Sequence, residues 1–223
     1  MVGMEQLRGE RARLMERLTT LEWLEALIDR GDMERDAYLN YLVCASRYAE
    51  QSPVVMAHAG ARCINSHPEI GAYLLHHAEE ERGHYLWARE DLRDLGCTDA
   101  DAAKRWPQTN CAAMIGVMHH CATVANPVGL LGWMYLLEAV GEDLGAAAAD
   151  GLVRWLDGSP AIRFVASHAV TDVGHAQEMD EVIEAHVVAP QDWESILEVA
   201  AVVADLYVGM FDEAHRRAVG EWP

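Results

Sequence analysis

Apolar residues recur at three- and four-residue spacing along almost the whole chain, and no stretch alternates apolar with polar as a half-buried strand would. Leu14, Leu18, Leu21, Leu24 and the pair Leu27-Ile28 form one such stripe. Prolines and glycines divide the pattern. Ser52-Pro53, Asn126-Pro127 and Ser159-Pro160 read as a capping residue followed by proline at the first helical position. His67-Pro68, Trp106-Pro107 and Ala189-Pro190 are weaker versions of the same start, while Arg30-Gly31-Asp32 and Leu95-Gly96 read as stops. The spacing predicts helices near 4–30, 33–51, 53–65, 68–96, 107–124, 127–148, 160–186 and 190–219. Connections are short and no linker sets off a second domain. The expected fold class is all-α, a single-domain bundle of about seven to eight helices over residues 1–223, with the N-terminal helix partly peripheral.

Charge narrows the function. A formal net charge of −19 argues against nucleic acid or an anionic membrane as partner, because both would repel the chain. It also leaves room for carboxylates that sit inside and are neutralised by bound cations. The five cysteines form no CxxC pair and lie in apolar surroundings such as YLVCAS and TNCAAM, so reduced packing thiols and a cytoplasmic location are expected. No secretory leader fits, since Met1 leads into the charged EQLRGERARLMERL, and apolar runs such as LEVAAVVADLYVGM are broken by charge before membrane-spanning length.

The stretch HHAEEERGH, residues 76–84, concentrates histidine and glutamate within the predicted 68–96 helix. At about 100° per residue, His77, Glu81 and His84 share an arc roughly 60° wide, with Glu79 facing away and Glu80 at the edge. Alone, the pattern is as compatible with a wet helix face as with a ligand set. It recurs in SHAVTDVGHAQE, where His168, Asp172 and His175 repeat the spacing, H-x3-[ED]-x2-H, and each final histidine again follows a glycine. His168 lies among Phe164, Val165, Val170 and Val173, where an unpaired imidazole would be costly. In WMYLLEAVGEDLG, Glu138 follows an apolar run that ought to be buried, so it must be paired, protonated or bound to metal; Glu142, one turn on, is the runner-up. Four imidazoles and three carboxylates exceed what one tetrahedral zinc needs and include no thiolate. Mixed nitrogen and oxygen ligands on facing helices suit two iron or manganese ions.

These residues resemble the haem-oxygenase-like dimetal oxidases, relatives of the thiaminase-like helical fold. The resemblance runs from about Tyr38 to Ala185 and rests on the E-x-x-H of HHAEEERGH followed by DLRDLG, on LLGWMYLLE and on SHAVTDVGH. It implies a haem-oxygenase-like fold, two iron ions with O2 as co-substrate, and ligands Glu81, His84, Glu138, His168, Asp172 and His175. His77 would occupy a position that is a ligand in only some members. Many members draw a further glutamate from the preceding helix, where this chain offers only Glu50, out of register; His77 on the ligand arc is preferred. The implied activity is oxidation or oxygenation of a small organic acid, foremost an amino acid or derivative, by N-oxygenation, desaturation or C–C/C–N cleavage. The alternatives are fatty-acid decarboxylation and iron binding or storage without an organic substrate. Trp133 and Tyr135 are candidates for the substrate pocket, with packing as the competing role, and Arg47, Arg62 or Arg163 for a substrate carboxylate. A homodimer stays open as the assembly.

Overall fold

The computed structural model describes residues 2–222, with the side chains of Val2 and Val173 outside that description. The described residues are 83% helix with no strand. Ten α-helices follow one another: α1 (Val2–Thr19), α2 (Glu22–Arg30), α3 (Arg35–Cys63), α4 (Pro68–Glu80), α5 (Tyr85–Asp94), α6 (Asp99–Arg105), α7 (Thr109–Thr123), α8 (Leu130–Leu156), α9 (Arg163–His186) and α10 (Pro190–Ala218). A 3-10 turn, Pro127–Gly129, leads into α8, with the Asn126 side chain accepting from Val128 N.

The count corrects the expected seven to eight helices, and each difference has a local cause. The 4–30 segment divides because Thr19 and Thr20 turn their hydroxyls onto carbonyls of the preceding turn, competing with continuation of the helix. The helix start foreseen at Ser52-Pro53 fails: α3 runs through it, with Ala49, Ser52, Val55 and Met56 buried on both sides, so packing outweighs the lost backbone bond. The 68–96 segment breaks at residues 81–84, where Gly83 takes φ 102°. The short α6 was signalled by a capping box that the apolar period did not reveal, Thr98 Oγ1 accepting from Asp101 N while the Asp101 side chain reaches back to Thr98. The stops at Gly31 and Gly96 hold, both with positive φ; at Gly31, backbone bonds from residues 31 and 32 to Leu27 and Ala26 carbonyls close α2.

Helices α3, α8 and α10 carry much of the apolar core, with Leu39, Leu42, Met56, Leu131, Trp133, Ile196 and Val203 almost wholly buried. α8 and α9 pack most extensively against each other. Their approach is set by small residues: a Cβ at Gly145 would press on the Ala169 backbone, and one at Gly141 would overlap the Asp172 carboxylate. α1 buries Met4, Leu7, Leu14 and Leu18 against this framework. No helix is long and apolar enough to cross a membrane among the described residues.

Candidate metal centre

Four segments bring the singled-out residues together: the end of α4, the turn at 81–84, the middle of α8 and the middle of α9. His77, Glu81, Glu138 and His175 each offer one ligand atom, all within 4.8 Å of one another, and Glu81, His84 and His168 do the same. Glu81 belongs to both sets. His77 is fully buried, Glu81 6% exposed and Glu138 8% exposed, too little for solvated charges.

The donors face one another and satisfy one another only in part. His77 Nε2 meets Glu138 Oε1 at 3.1 Å. His175 Nδ1 lies 3.4 Å from Glu138 Oε2 and His84 Nδ1 3.1 Å from Glu81 Oε1, yet neither pair has hydrogen-bond alignment. His77 Nδ1 and Glu138 Oε2 are likewise buried without a hydrogen-bond partner among the described residues. Buried polar atoms that converge but do not pair are what a cation between them would satisfy. His168 is oriented by its own bond: Nδ1 donates to Phe164 O at 2.8 Å, turning Nε2 towards the cluster. Burial lowers the His168 pKa, favouring the neutral imidazole that can bind a cation.

The electrostatics are those of crowded carboxylates. Burial opposes ionisation of Glu138, but the close approach of His175 and the bond with His77 outweigh it and hold the group down at about 2. Asp172 behaves oppositely: burial, then the charges of Glu138 and Glu81, push it up to about 9, against a hydrogen bond from Thr171 Oγ1 at 3.1 Å. Asp172 lies outside both converging sets and beside Gly141.

The break at Gly83 changes how the opening motif works. His77 sits on α4, but Glu81 and His84 stand in the turn, so the expected single helical arc is not how they meet. The second motif does sit on one continuous helix, with Gly174 helical; equal spacing is carried by unlike backbones. Val170, expected among the apolar neighbours of His168, points outward at 78% exposure. Glu50 is turned away, paired with Arg89 at 2.9 Å. Glu142 pairs with Arg11 at 2.8 Å. Glu80, placed at the edge of the arc, brings Oε2 to 3.7 Å from His175 Nε2 and 3.8 Å from His77 Nδ1. Tyr73 was not foreseen: its ring lies 5.5 Å from that of His77 and its hydroxyl is buried without a partner among the described residues. Trp87 stacks on His84 with centroids 4.2 Å apart.

A cavity of about 110 Å³ opens from the cluster into the core between α2, α3, α8 and α10. Glu81, Glu138, His168 and Asp172 form its polar end, and Leu18, Leu24, Leu27, Met33, Leu144 and Leu152 its far end. Trp133 lines it. Tyr135 does not; it faces the Asp180 and Arg11 side of α8. No arginine or lysine contributes to the lining. Arg62 is spent on the Ala122 and Ala125 carbonyls and Arg163 on Asp91 and Asp94, so neither reaches the cavity.

Fold and cluster together define a haem-oxygenase-like helical protein with a buried histidine–carboxylate site. The profile of a family described as "Iron-containing redox enzyme" matches residues 39–208, and the chain belongs to that family. No curated protein matches the chain. Among solved structures, a domain of unknown function with a heme oxygenase-like fold from Shewanella denitrificans superposes with TM-score 0.82 at 22% identity, over 94% of this chain and 90% of its own. A TenA homologue from Pseudomonas syringae pv. tomato gives 0.78 at 14% identity, covering 95% and 92%. The TenA homologue of Pyrococcus furiosus gives 0.73 at 13%, covering 95% and 99%. These likenesses establish the fold.

Proposed function

We propose that the protein is a non-haem diiron, O2-dependent oxidase or oxygenase, folded as one domain, acting on a small organic acid with an apolar body. The observation that carries the reading is the sharing of Glu81 between two converging ligand sets at one end of a cavity. A carboxylate placed so can serve both ions of a pair. In this reading His77, Glu138 and His175 hold one ion with Glu81, and His84 and His168 hold the other. Asp172 joins the pair on ionisation. The metals, iron with manganese as the other matching ion, would supply the oxidising power when bound. The chain's residues orient the substrate, exclude water and, at His168, favour the neutral imidazole through burial.

The lining supports one substrate class over the other. A free amino acid carries two charges, and beyond the cluster the cavity offers it apolar side chains and tyrosines without a basic residue. An acid whose carboxylate lies at the cluster and whose remainder is apolar matches both ends, which favours a fatty-acid-like substrate over a polar amino acid. Iron storage without an organic substrate would leave the cavity without a role.

Anaerobic ferrous titration of the metal-free protein, followed by oxygen exposure under optical monitoring, tests the reading. Two irons per chain are expected, with His84→Ala and His175→Ala each reducing the stoichiometry. Fewer than two irons, unaffected by either variant, would sink the dimetal site; oxygen consumption insensitive to every apolar acid tried would sink the substrate class.

A further inference from the structure

A second concave site lies between α3, α5 and the 97–102 segment, lined by Ser46, Arg47, Arg89, Arg93, Cys97 and Asp99 among others. Basic residues are scarce here, 17 against 36 acidic ones, and most are engaged by carboxylates or carbonyls elsewhere. Three arginines in one cleft therefore need a reason. Arg47 and Arg93 have no ionic partner among the described residues, and Arg93 is exposed. Arg47 is held by stacking, its Cζ 5.6 Å from the Trp106 ring centre, and Arg89 likewise at 4.5 Å from Tyr85. A guanidinium steadied by an aromatic face keeps its N–H edge free for an acceptor. Arg89 gives part of that edge to Glu50, which explains why Glu50 is unavailable to the metal centre.

We propose that this cleft is an anion site for a phosphate group, separate from the metal centre. The lining carries three guanidiniums and one carboxylate, Asp99, and with Arg89 shared with Glu50 the charge left over is still positive, which favours an anion. Planar guanidiniums from two helices suit the several equatorial oxygens of phosphate, and Ser46 adds a hydroxyl beside them. The cavity volume, about 260 Å³, leaves room for a small organic body on the phosphate. The proposal does not depend on the diiron reading.

Equilibrium dialysis of the full-length protein against labelled inorganic phosphate at fixed ionic strength tests it, with glycerol phosphate and malate as competitors. Saturable binding of one phosphate per chain is expected, equal in metal-free and manganese-loaded protein. Arg47→Gln and Arg93→Gln should each weaken it about tenfold, the size of one lost charge-assisted bond, and Arg13→Gln on α1 should not. Arg93→Gln, at an exposed position, keeps the test valid should Arg47→Gln fail to fold. Glycerol phosphate displacing the label more strongly than phosphate itself identifies a phosphate monoester as the source; equal displacement identifies free phosphate. Absent or unsaturable binding, equal weakening by Arg13→Gln, malate competing as well as either phosphate, or uptake confined to the loaded protein and lost in His175→Ala would each overturn the proposal.

Discussion

Gly141 shows how far one missing side chain shapes the centre. A Cβ there would overlap Asp172 Oδ2, so Gly141→Ala must displace the carboxylate or part α8 from α9. Gly116, on α7, has nothing within 4 Å of its would-be Cβ. Gly116→Ala should stabilise the chain by about 0.5–1 kcal/mol through helix propensity alone, whereas Gly141→Ala should destabilise it by about 1–3 kcal/mol and weaken metal uptake. Urea denaturation of both variants checks the opposite signs. Asp172 itself predicts a pH dependence. Its native carboxyl, at about 9, holds a proton that the unfolded chain releases near 3.8. In that window the native state binds more protons than the unfolded one, so this group's stabilisation is complete below about pH 4 and is lost progressively towards pH 9. The metal-free protein should show a Tm that falls with rising pH across that range, and Asp172→Asn should flatten the fall. An unchanged slope in the variant would assign the effect elsewhere.

Elements position the ligands through contacts that a sequence does not advertise. Ile162, at the start of α9, provides no side-chain cap. Asp91 from α5 does so instead, fully buried and accepting from Arg163 N at 3.1 Å and Phe164 N at 2.9 Å, with Arg163 Nη1 beside it at 3.1 Å. That cap fixes the register from which Phe164 O holds His168. Asp91→Ala should cost about 2–3 kcal/mol, a lost cap plus unmet buried donors, and should reduce metal affinity without touching any ligand. Denaturant midpoints and metal titration on the same variant check both effects. The helical class, the stops at Gly31 and Gly96 and the long α9 and α10 were legible because they follow from local spacing and backbone preference. The divided 68–96 segment was not, because one glycine within a charged run signals neither turn nor helix unless its φ is known. Six of the seven singled-out residues converge, although the helical arc that suggested the first set is interrupted at Gly83. Tyr135 was misplaced because its neighbours on the Arg11–Asp180 side come from distant parts of the chain, and the pairing of Glu50 with Arg89 was hidden for the same reason. Asp91 hid inside DLRDLG, which resembles an ordinary solvated surface.

At the scale of the whole molecule, the centre is where an acidic chain concentrates its internal repulsion. Glu80, Glu81, Glu138 and Asp172 approach one another from the end of α4, the following turn, α8 and α9, and the formal net charge of −19 adds a background that disfavours further ionisation there. A cation bound among them relieves that repulsion and ties together segments that unfolding would separate. Such a cation would bind the native state in preference to the unfolded one, so loading should raise stability, by about 2.7 kcal/mol at a hundredfold excess over Kd. For a chain of this size that corresponds to a Tm increase of about 5–10 °C. Ferrous iron under anaerobic conditions, or manganese in air, should produce the rise; chelation should reverse it, and His84→Ala and His175→Ala should each reduce it. Sodium chloride screens exposed charges throughout the surface and should give only a smaller, metal-independent increase. Magnesium discriminates further, because it prefers all-oxygen coordination and the centre offers imidazoles in both ligand sets. Equal stabilisation by magnesium and manganese would mean that surface carboxylates, rather than this centre, account for the effect.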